Sequence, residues 1–317
     1  NKSFNFFWML VLVSSFSLHA FEVKQTIFAF WDKPDVNLLY KLPKNIDANT
    51  KVLFIIHGQS RNADSYIDHW VDLVEEKNVI LVAPHFKRSD YRYFFLLETA
   101  NSNGVINKNE SGYLINSIDT FFSFFKNKYK LDTSKYSMFG HSAGGQFSHR
   151  YLMLSDNPKI DKAVIANPGW YTFLAGARYP YGIKDIPVSI SNEGIKNFLS
   201  MRNTLMLGSK DTGSSSLNTS PGAMKQGEDR LSRGNNYFES LIKTTKENHI
   251  PFEILQPLIK ETAEKINQLS PEDAQTGPAK RNDVETINSH LAFLSDENQK
   301  NIYKILTQSI QNNGKKL

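Results

Sequence analysis

Continuous apolar runs separated by amphipathic stretches dominate the middle of the chain. Segments 51–56, 79–83 and 163–166 are almost entirely apolar and rich in β-branched residues, which is typical of strands buried on both faces of a parallel sheet. Between them, segments such as 63–77 and 143–154 carry apolar residues at helical spacing. This alternation predicts an α/β fold: a mostly parallel, doubly wound sheet with helices on both faces.

The same patterns predict the remaining elements. Further strands are expected over 26–31, 36–42, 135–139, 203–208 and 251–255, with another ending near 283–287, and further helices over 113–129, 230–247 and 297–311. We expect them to form one domain over residues 21–317.

Two segments interrupt this rhythm. Residues 167–200 are too rich in aromatic side chains for a plain connection, which favours a lid-like loop or pocket wall over a hydrophobic cluster that fixes a long loop. Residues 256–282 are polar, helix-prone and punctuated by three prolines, which indicates a surface insertion.

The N-terminal residues have the order of a secretory signal. Lys2 precedes a short apolar run, and a polar stretch then ends at Ala20. This order predicts a signal peptide over residues 1–20 and a secreted or periplasmic protein. A membrane anchor or a core helix is the alternative, but the apolar run is short for a span, so we expect no stable anchor after cleavage.

Composition narrows the chemistry. The 317 residues are 40% hydrophobic and 22% charged, as in ordinary globular proteins. The net charge of +5 is scattered along the chain, so no nucleic-acid partner is expected. Because these residues include no cysteine, disulfides, thiolate nucleophiles and cysteine metal sites are excluded.

The segment Gly140-His141-Ser142-Ala143-Gly144 follows a predicted strand and opens a predicted helix. A serine in this context forms a nucleophile elbow, a sharp turn that exposes its hydroxyl. The glycines two residues on either side leave room for the turn. We therefore predict Ser142 as a nucleophile rather than an ordinary exposed serine.

A serine nucleophile needs an acid and a base, which follow it along the chain in that order on such a sheet. Asp211 comes directly after a buried strand and a glycine and is the predicted acid, with Asp229 second. Only His249 and His290 follow Asp211. We choose His290, because it follows an expected strand end, whereas His249 precedes a strand and would lie at the wrong edge.

Two backbone N–H groups are needed to stabilise the oxyanion. One belongs to Ala143, the residue after the nucleophile. The other is expected from the loop after strand 51–56, where Gly58 allows close approach and Gln59 supplies the N–H group, with Ser60 as the alternative. The aromatic residues Trp170, Tyr171 and Tyr181 are the predicted substrate-binding wall.

Several motifs together resemble a known family. They are His57-Gly58-Gln59-Ser60-Arg61-Asn62-Ala63, Gly140-His141-Ser142-Ala143-Gly144-Gly145-Gln146-Phe147 with His149-Arg150, Asn167-Pro168-Gly169-Trp170-Tyr171, and Gln226-Gly227 with Arg230 and Arg233-Gly234. They resemble bacterial α/β-hydrolases similar to polyhydroxybutyrate depolymerases and related esterases, over about residues 50–300. The chain departs from that family at the histidine, where segment 256–282 separates the last strand from Asn288-Ser289-His290.

The resemblance implies the α/β-hydrolase fold and a serine hydrolase that cleaves small-molecule or polymeric esters without a metal or cofactor. A peptidase or amidase with the same triad, or a non-catalytic binding protein on the same fold, is the alternative. The oligomeric state is left open.

Overall fold

A computed structural model describes residues 23–74, 76–247, 282–294 and 297–313. The chain groups into two compact units, Asn1–Phe252 and Glu253–Leu317. The predicted signal peptide, the strand predicted over 251–255 and all but the last residue of the predicted insertion lie outside the described residues. One domain over residues 21–317 stays a prediction.

The first unit is built on a seven-stranded sheet with strand order β1-β2-β4-β3-β5-β6-β9. These strands are β1 (Lys24–Phe28), β2 (Val36–Lys41), β3 (Lys51–Ile56), β4 (Val79–His85), β5 (Tyr136–His141), β6 (Ile160–Ala166) and β9 (Asn203–Met206). The first two pairings are antiparallel, and the pairs from β4 to β9 are parallel. The mostly parallel α/β sheet predicted from the sequence is therefore confirmed.

Helices cover both faces of this sheet. The first unit contains α1 (Ala63–Val74), α2 (Ser117–Tyr129), α3 (Ala143–Leu154), α4 (Asn192–Ser200), α5 (Pro221–Met224) and α6 (Arg230–Glu247). Ile67 of α1 belongs to one buried cluster with Ile55 and Leu81. The neighbouring residue Phe54 points to the opposite face, where its ring meets Tyr136, which also contacts Phe122 of α2.

The segment expected to be a lid-like loop contains regular structure. It holds β7 (Phe173–Arg178) and β8 (Gly182–Lys184), which pair in a separate two-stranded sheet, followed by α4. A Tyr179–Pro180 cis peptide bond joins the two strands. The aromatic side chains in this segment therefore belong to a folded substructure.

The second unit contributes α7 (Val284–Phe293) and α8 (Glu297–Asn313). The expected strand end near 283–287 is wrong, because α7 occupies these residues. Asp283 caps this helix: its Oδ1 accepts the Thr286 N–H at 3.1 Å, which favours a helix over a strand. No helix in the described parts of the chain is long and apolar enough to cross a membrane.

Candidate active site

Ser142 lies at the turn between β5 and α3, as the elbow motif predicted. Its backbone has φ 56° and ψ −116°, a conformation that residues with a side chain rarely adopt. Its N–H donates to the Ala166 carbonyl at 2.9 Å, and its own carbonyl accepts the Gln146 N–H at 3.0 Å. The strained turn is thus held from both sides, while the Ser142 hydroxyl does not cap the helix.

The flanking glycines are sterically required. A Cβ at Gly140 would lie 2.2 Å from the Ser148 Oγ and 2.3 Å from the Gly144 carbonyl oxygen. A Cβ at Gly144 would lie 2.1 Å from the carbonyl oxygen of Ile56 in β3. Gly140 therefore packs against α3 and Gly144 against β3 too closely for either position to carry a side chain.

The predicted oxyanion loop lies beside the elbow because β3 and β5 are parallel neighbours, with Ile56 paired to Gly140. A Cβ placed on Gly58 would be 3.7 Å from the Ser142 Cβ. Gln59 follows Gly58 on this loop, and Ala143 is buried behind the serine. The sheet thus places the loop that carries one predicted N–H donor next to the turn that carries the other.

His57 fixes the start of this loop through hydrogen bonds of its ring. Its Nε2 accepts the Phe86 N–H at 3.1 Å, so its Nδ1, 2.9 Å from the Gly58 carbonyl, carries the proton. Burial lowers the pKa of His57 to about 3, and the charges of Arg61 and His85 act in the same direction. The ring is therefore neutral at pH 7 and has a structural role.

Arg61 fixes the end of the same loop. This residue has a left-handed backbone, φ 63°, and its guanidinium donates to the carbonyls of Phe86, Tyr91 and Arg92 at 2.6, 2.8 and 3.0 Å. It also lies over the ring of Phe94, 4.2 Å from the ring centroid. Sequence reasoning missed this role, since nothing local distinguishes a buried arginine from a solvated one.

Asp211 lies on the loop after β9, at the carboxyl edge of the sheet, where the acid was expected. Its carboxylate pairs with Arg230 at 3.1 Å, and both side chains are mostly buried. Burial lowers the pKa of His141, while the Asp211 charge raises it and the Arg230 charge lowers it, so the two charges of this ion pair act on the elbow in opposite directions. The second candidate, Asp229, instead accepts the Ser232 N–H at 2.7 Å near the start of α6.

The predicted base, His290, lies on α7 in the second unit. Its Nδ1 is 2.7 Å from the Tyr303 hydroxyl of α8. The strand that supported its selection is a helix, so chain order alone supports its role, which stays a prediction. The competing His249 lies outside the described residues.

His149 is one of two described histidines with both ring nitrogens occupied, the other being His57. The Nδ1 of His149 is 3.1 Å from the Gly145 carbonyl, and its Nε2 accepts the Thr172 N–H at 3.1 Å. Its side chain is fully buried, and burial holds its pKa well below the usual range. It therefore contributes to packing.

The three predicted substrate-wall aromatics differ in exposure. Tyr171 is fully buried and stacks on Tyr237 with ring centroids 4.4 Å apart. Trp170 is also buried, between the guanidinium of Arg150 and the ring of Tyr181. Tyr181 alone of the three is partly exposed, and substrate binding by the three stays a prediction.

Tyr66 contacts the residue before the nucleophile, and the sequence contains no direct indication of this contact. This α1 residue places its hydroxyl 2.8 Å from the Nδ1 of His141, the residue before Ser142. The one available signal was its position one turn after the predicted oxyanion loop. Elsewhere in the described residues, no cluster of three or more histidine, aspartate or glutamate side chains could hold a metal ion.

Comparisons with known proteins give the family of the chain. A family model described as a domain of unknown function (DUF2520) matches residues 233–310, and no curated protein matches the chain.

Among solved structures, the chain is similar to poly(aspartic acid) hydrolase-1 from Sphingomonas sp. KT-1, with 32% identity, 72% of this chain and 87% of that chain covered, and a TM-score of 0.66. It is also similar in fold to LpqC, a poly(3-hydroxybutyrate) depolymerase from Bordetella parapertussis, with 22% identity, 73% and 80% covered, and a TM-score of 0.65. The chain therefore belongs to the α/β-hydrolase family of hydrolytic enzymes that includes poly(aspartic acid) hydrolase-1.

Proposed function

We propose that this protein is an exported serine hydrolase that cleaves carboxylic esters through a triad of Ser142, His290 and Asp211. The observation that carries the proposal is the strained backbone of Ser142 between β5 and α3, with glycines that admit no side chain on either side. Strain of this kind is concentrated at functional sites, and the turn matches that of serine nucleophiles in this fold.

In the proposed reaction, His290 takes the hydroxyl proton of Ser142 as the Ser142 Oγ attacks the ester carbonyl carbon. Asp211 orients the histidine and stabilises its charged form. The N–H groups of Gln59 and Ala143 donate to the tetrahedral oxyanion, each contributing about 3 kcal/mol. The imidazolium then protonates the leaving alcohol, and water hydrolyses the acyl-enzyme in the same way, restoring Ser142 and releasing the acid.

Amide hydrolysis is the second candidate, and the family comparison supports it. Poly(aspartic acid), the polymer in the name of the 32%-identical relative, is joined by amide bonds. The acyl-enzyme steps are the same for both substrates, and only the leaving group differs. A polymeric substrate is compatible with either candidate, and in both cases the partly exposed Tyr181 would contribute to the predicted substrate-binding wall.

The nucleophile is tested by labelling the purified protein with a fluorophosphonate and assaying p-nitrophenyl esters of increasing chain length. Ser142→Ala should lose labelling and reduce ester turnover by about 10⁴-fold or more, while its unfolding midpoint stays close to that of the parent protein. Unchanged turnover in this variant would refute the serine mechanism. A parent protein that neither labels nor hydrolyses esters or poly(aspartic acid) would support a non-catalytic binding role.

The base is tested by comparing His290→Ala with His249→Ala in the same ester assay. The proposal expects a loss similar to that of Ser142→Ala only for the first substitution. Loss confined to His249→Ala would transfer the role to that residue. Export is tested separately, by determining whether the protein recovered outside the cytoplasm begins after Ala20.

A further inference from the structure

The hydroxyl group of Tyr66 lies where the oxyanion loop and the nucleophile elbow approach each other. It is 2.8 Å from the Nδ1 of His141. On the loop side, a Cβ at Gly58 would lie 2.7 Å from the Tyr66 Oη and 3.7 Å from the Ser142 Cβ. One phenol oxygen therefore approaches both elements that carry the predicted oxyanion donors.

The hydrogen-bonding capacities of these groups are mutually consistent. Burial raises the pKa of Tyr66, and a hydrogen bond with the Gly58 backbone lowers it, as expected when an N–H donates to the phenol oxygen. Burial lowers the pKa of His141, so its ring is neutral at pH 7. The protonated Tyr66 hydroxyl can then donate to the Nδ1 of His141, while its oxygen lies against Gly58.

The ring of Tyr66 is held by the rest of the protein. It packs against the buried cluster formed by α1 and the sheet, which includes Ile55, Ile67 and Leu81. Its centroid lies 6.1 Å from that of the His141 ring. The hydroxyl is therefore fixed by a helix rather than by a mobile loop, as a group that sets the spacing of others must be.

We propose that Tyr66 is a positioning residue, whose hydroxyl bonds to His141 and packs against Gly58 and so sets the distance between the Gln59 and Ala143 N–H groups. This inference rests on the proposed function and adds a residue to it. Without the link, the loop and the elbow remain folded, but the two donors no longer converge on the oxyanion. Because misplacement by about 1 Å can cost about a hundredfold in rate, the effect should appear in the chemical step.

The test is Tyr66→Phe, which removes only the hydroxyl. We expect kcat for a p-nitrophenyl ester to fall about tenfold to a hundredfold, while KM changes less than about twofold. Inhibition by a boronic acid, which forms a tetrahedral adduct on the serine, should weaken by a similar factor, because it reports the transition-state geometry. A general loss of stability would reduce the amount of folded protein, but it would not weaken boronate inhibition of the protein that remains folded.

Tyr136→Phe is the matched control. It removes another tyrosine hydroxyl, at the opposite end of β5, where it contacts the Asp119 carboxylate at 3.2 Å. This variant should lower the unfolding midpoint without changing kcat or boronate inhibition. A double-mutant cycle of Tyr66→Phe with His141→Ala should be strongly non-additive, because both substitutions break the same link.

The outcomes separate this inference from the proposed function. If the parent protein labels at Ser142 but Tyr66→Phe keeps its kcat and boronate affinity, or if the double-mutant cycle is additive, the positioning role is refuted and the serine mechanism stands. A parent protein that shows neither labelling nor hydrolysis would overturn both.

Discussion

At Ser142, a backbone conformation that costs about 1–3 kcal/mol is maintained by hydrogen bonds and by the absence of side chains around it. The close packing that forces glycine at 144 brings the start of α3 against β3, and the loop after β3 carries Gly58 beside Ser142. The strained turn and the position of Ser142 beside this loop therefore depend on the same packing. Relieving the strain would move the nucleophile away from the loop that carries the predicted Gln59 N–H donor.

Gly144→Ala tests this coupling. Its Cβ would meet the Ile56 carbonyl oxygen at 2.1 Å, which is backbone and cannot turn away, so we expect the free energy of unfolding to fall by about 3 kcal/mol or more and ester turnover to be lost. Urea unfolding and the ester assay measure both. Gly176→Ala, which has no atom within 4 Å of the added carbon, should leave both unchanged, and equal behaviour of the two variants would contradict the steric argument.

The residues that the sequence located are those whose position follows from a local rule. The glycines and Ser142 share one turn, and Asp211 follows a strand and a glycine. Tyr66 and Arg61 obey no such rule, because their roles depend on partners that are distant in sequence, His141 for the first and Phe86 for the second. Long-range polar contacts of this kind leave no periodic pattern in the chain.

At the scale of elements, the site depends on one loop between β3 and α1 that is fixed at both ends. His57 holds the first end through the Phe86 N–H, and Arg61 holds the second through three carbonyls of residues 86–92. Both anchors reach the segment that follows β4. The loop after β3 is thus positioned by the segment that follows the neighbouring strand β4.

Arg61→Lys tests this anchoring. A lysine keeps the charge but lacks the planar fork that reaches separate carbonyls, so buried acceptors lose their donors at a cost of about 1–3 kcal/mol. We expect lower stability in urea and a fall in kcat of about tenfold or more, as the loop loses its fixed position. Arg88→Lys, an exposed neighbour, is the control, and equal kcat in both variants would refute the anchoring role.

Strands and helices were predicted best where the periodic pattern is long. The buried strands of the central sheet and α1, α2, α3 and α6 lie close to their expected positions. The short segment 283–287 was assigned to a strand because five residues fit either period, although Asp283 with Thr286 carried a helix-capping signal. In residues 167–200, the clustered aromatic residues show no clear strand periodicity, so the two short strands β7 and β8 were not predicted.

For the whole molecule, alternation of apolar strands with amphipathic helices was enough to predict the sheet class, because each strand is buried on both faces. Burial on this scale also encloses histidine side chains, which then stay neutral at a pH where they would otherwise be protonated. His57 and His149 are neutral in the fold, since burial lowers their pKa values, whereas an unfolded histidine titrates near 6.5. Below that pH the unfolded chain binds more protons, so acid reduces stability.

Glu98 acts in the opposite direction. Burial raises its pKa to about 7, and the Arg61 charge and a hydrogen bond from the Tyr93 backbone lower it only in part. Its contribution to stability is therefore fully present below its unfolded pKa of 4.5 and is lost as the pH rises through 7. Because Glu98 partly offsets the two histidines between pH 4.5 and 6.5, the effect of one histidine has to be measured by difference.

His57→Gln provides that difference. The amide can replace part of the hydrogen bonding to Phe86 and Gly58, so at pH 7.5 we expect a loss of about 1–3 kcal/mol in the free energy of unfolding. As the pH falls from 6 to 4, the parent protein should lose about 1.4 kcal/mol per pH unit more than the variant, because only the parent has a buried histidine to protonate at this position. Urea unfolding at a series of pH values should therefore give curves that converge and then cross near pH 5, while His69→Gln, at an exposed position, follows the parent throughout. Parallel curves for the parent and His57→Gln would show that the neutral state of His57 does not limit stability in acid.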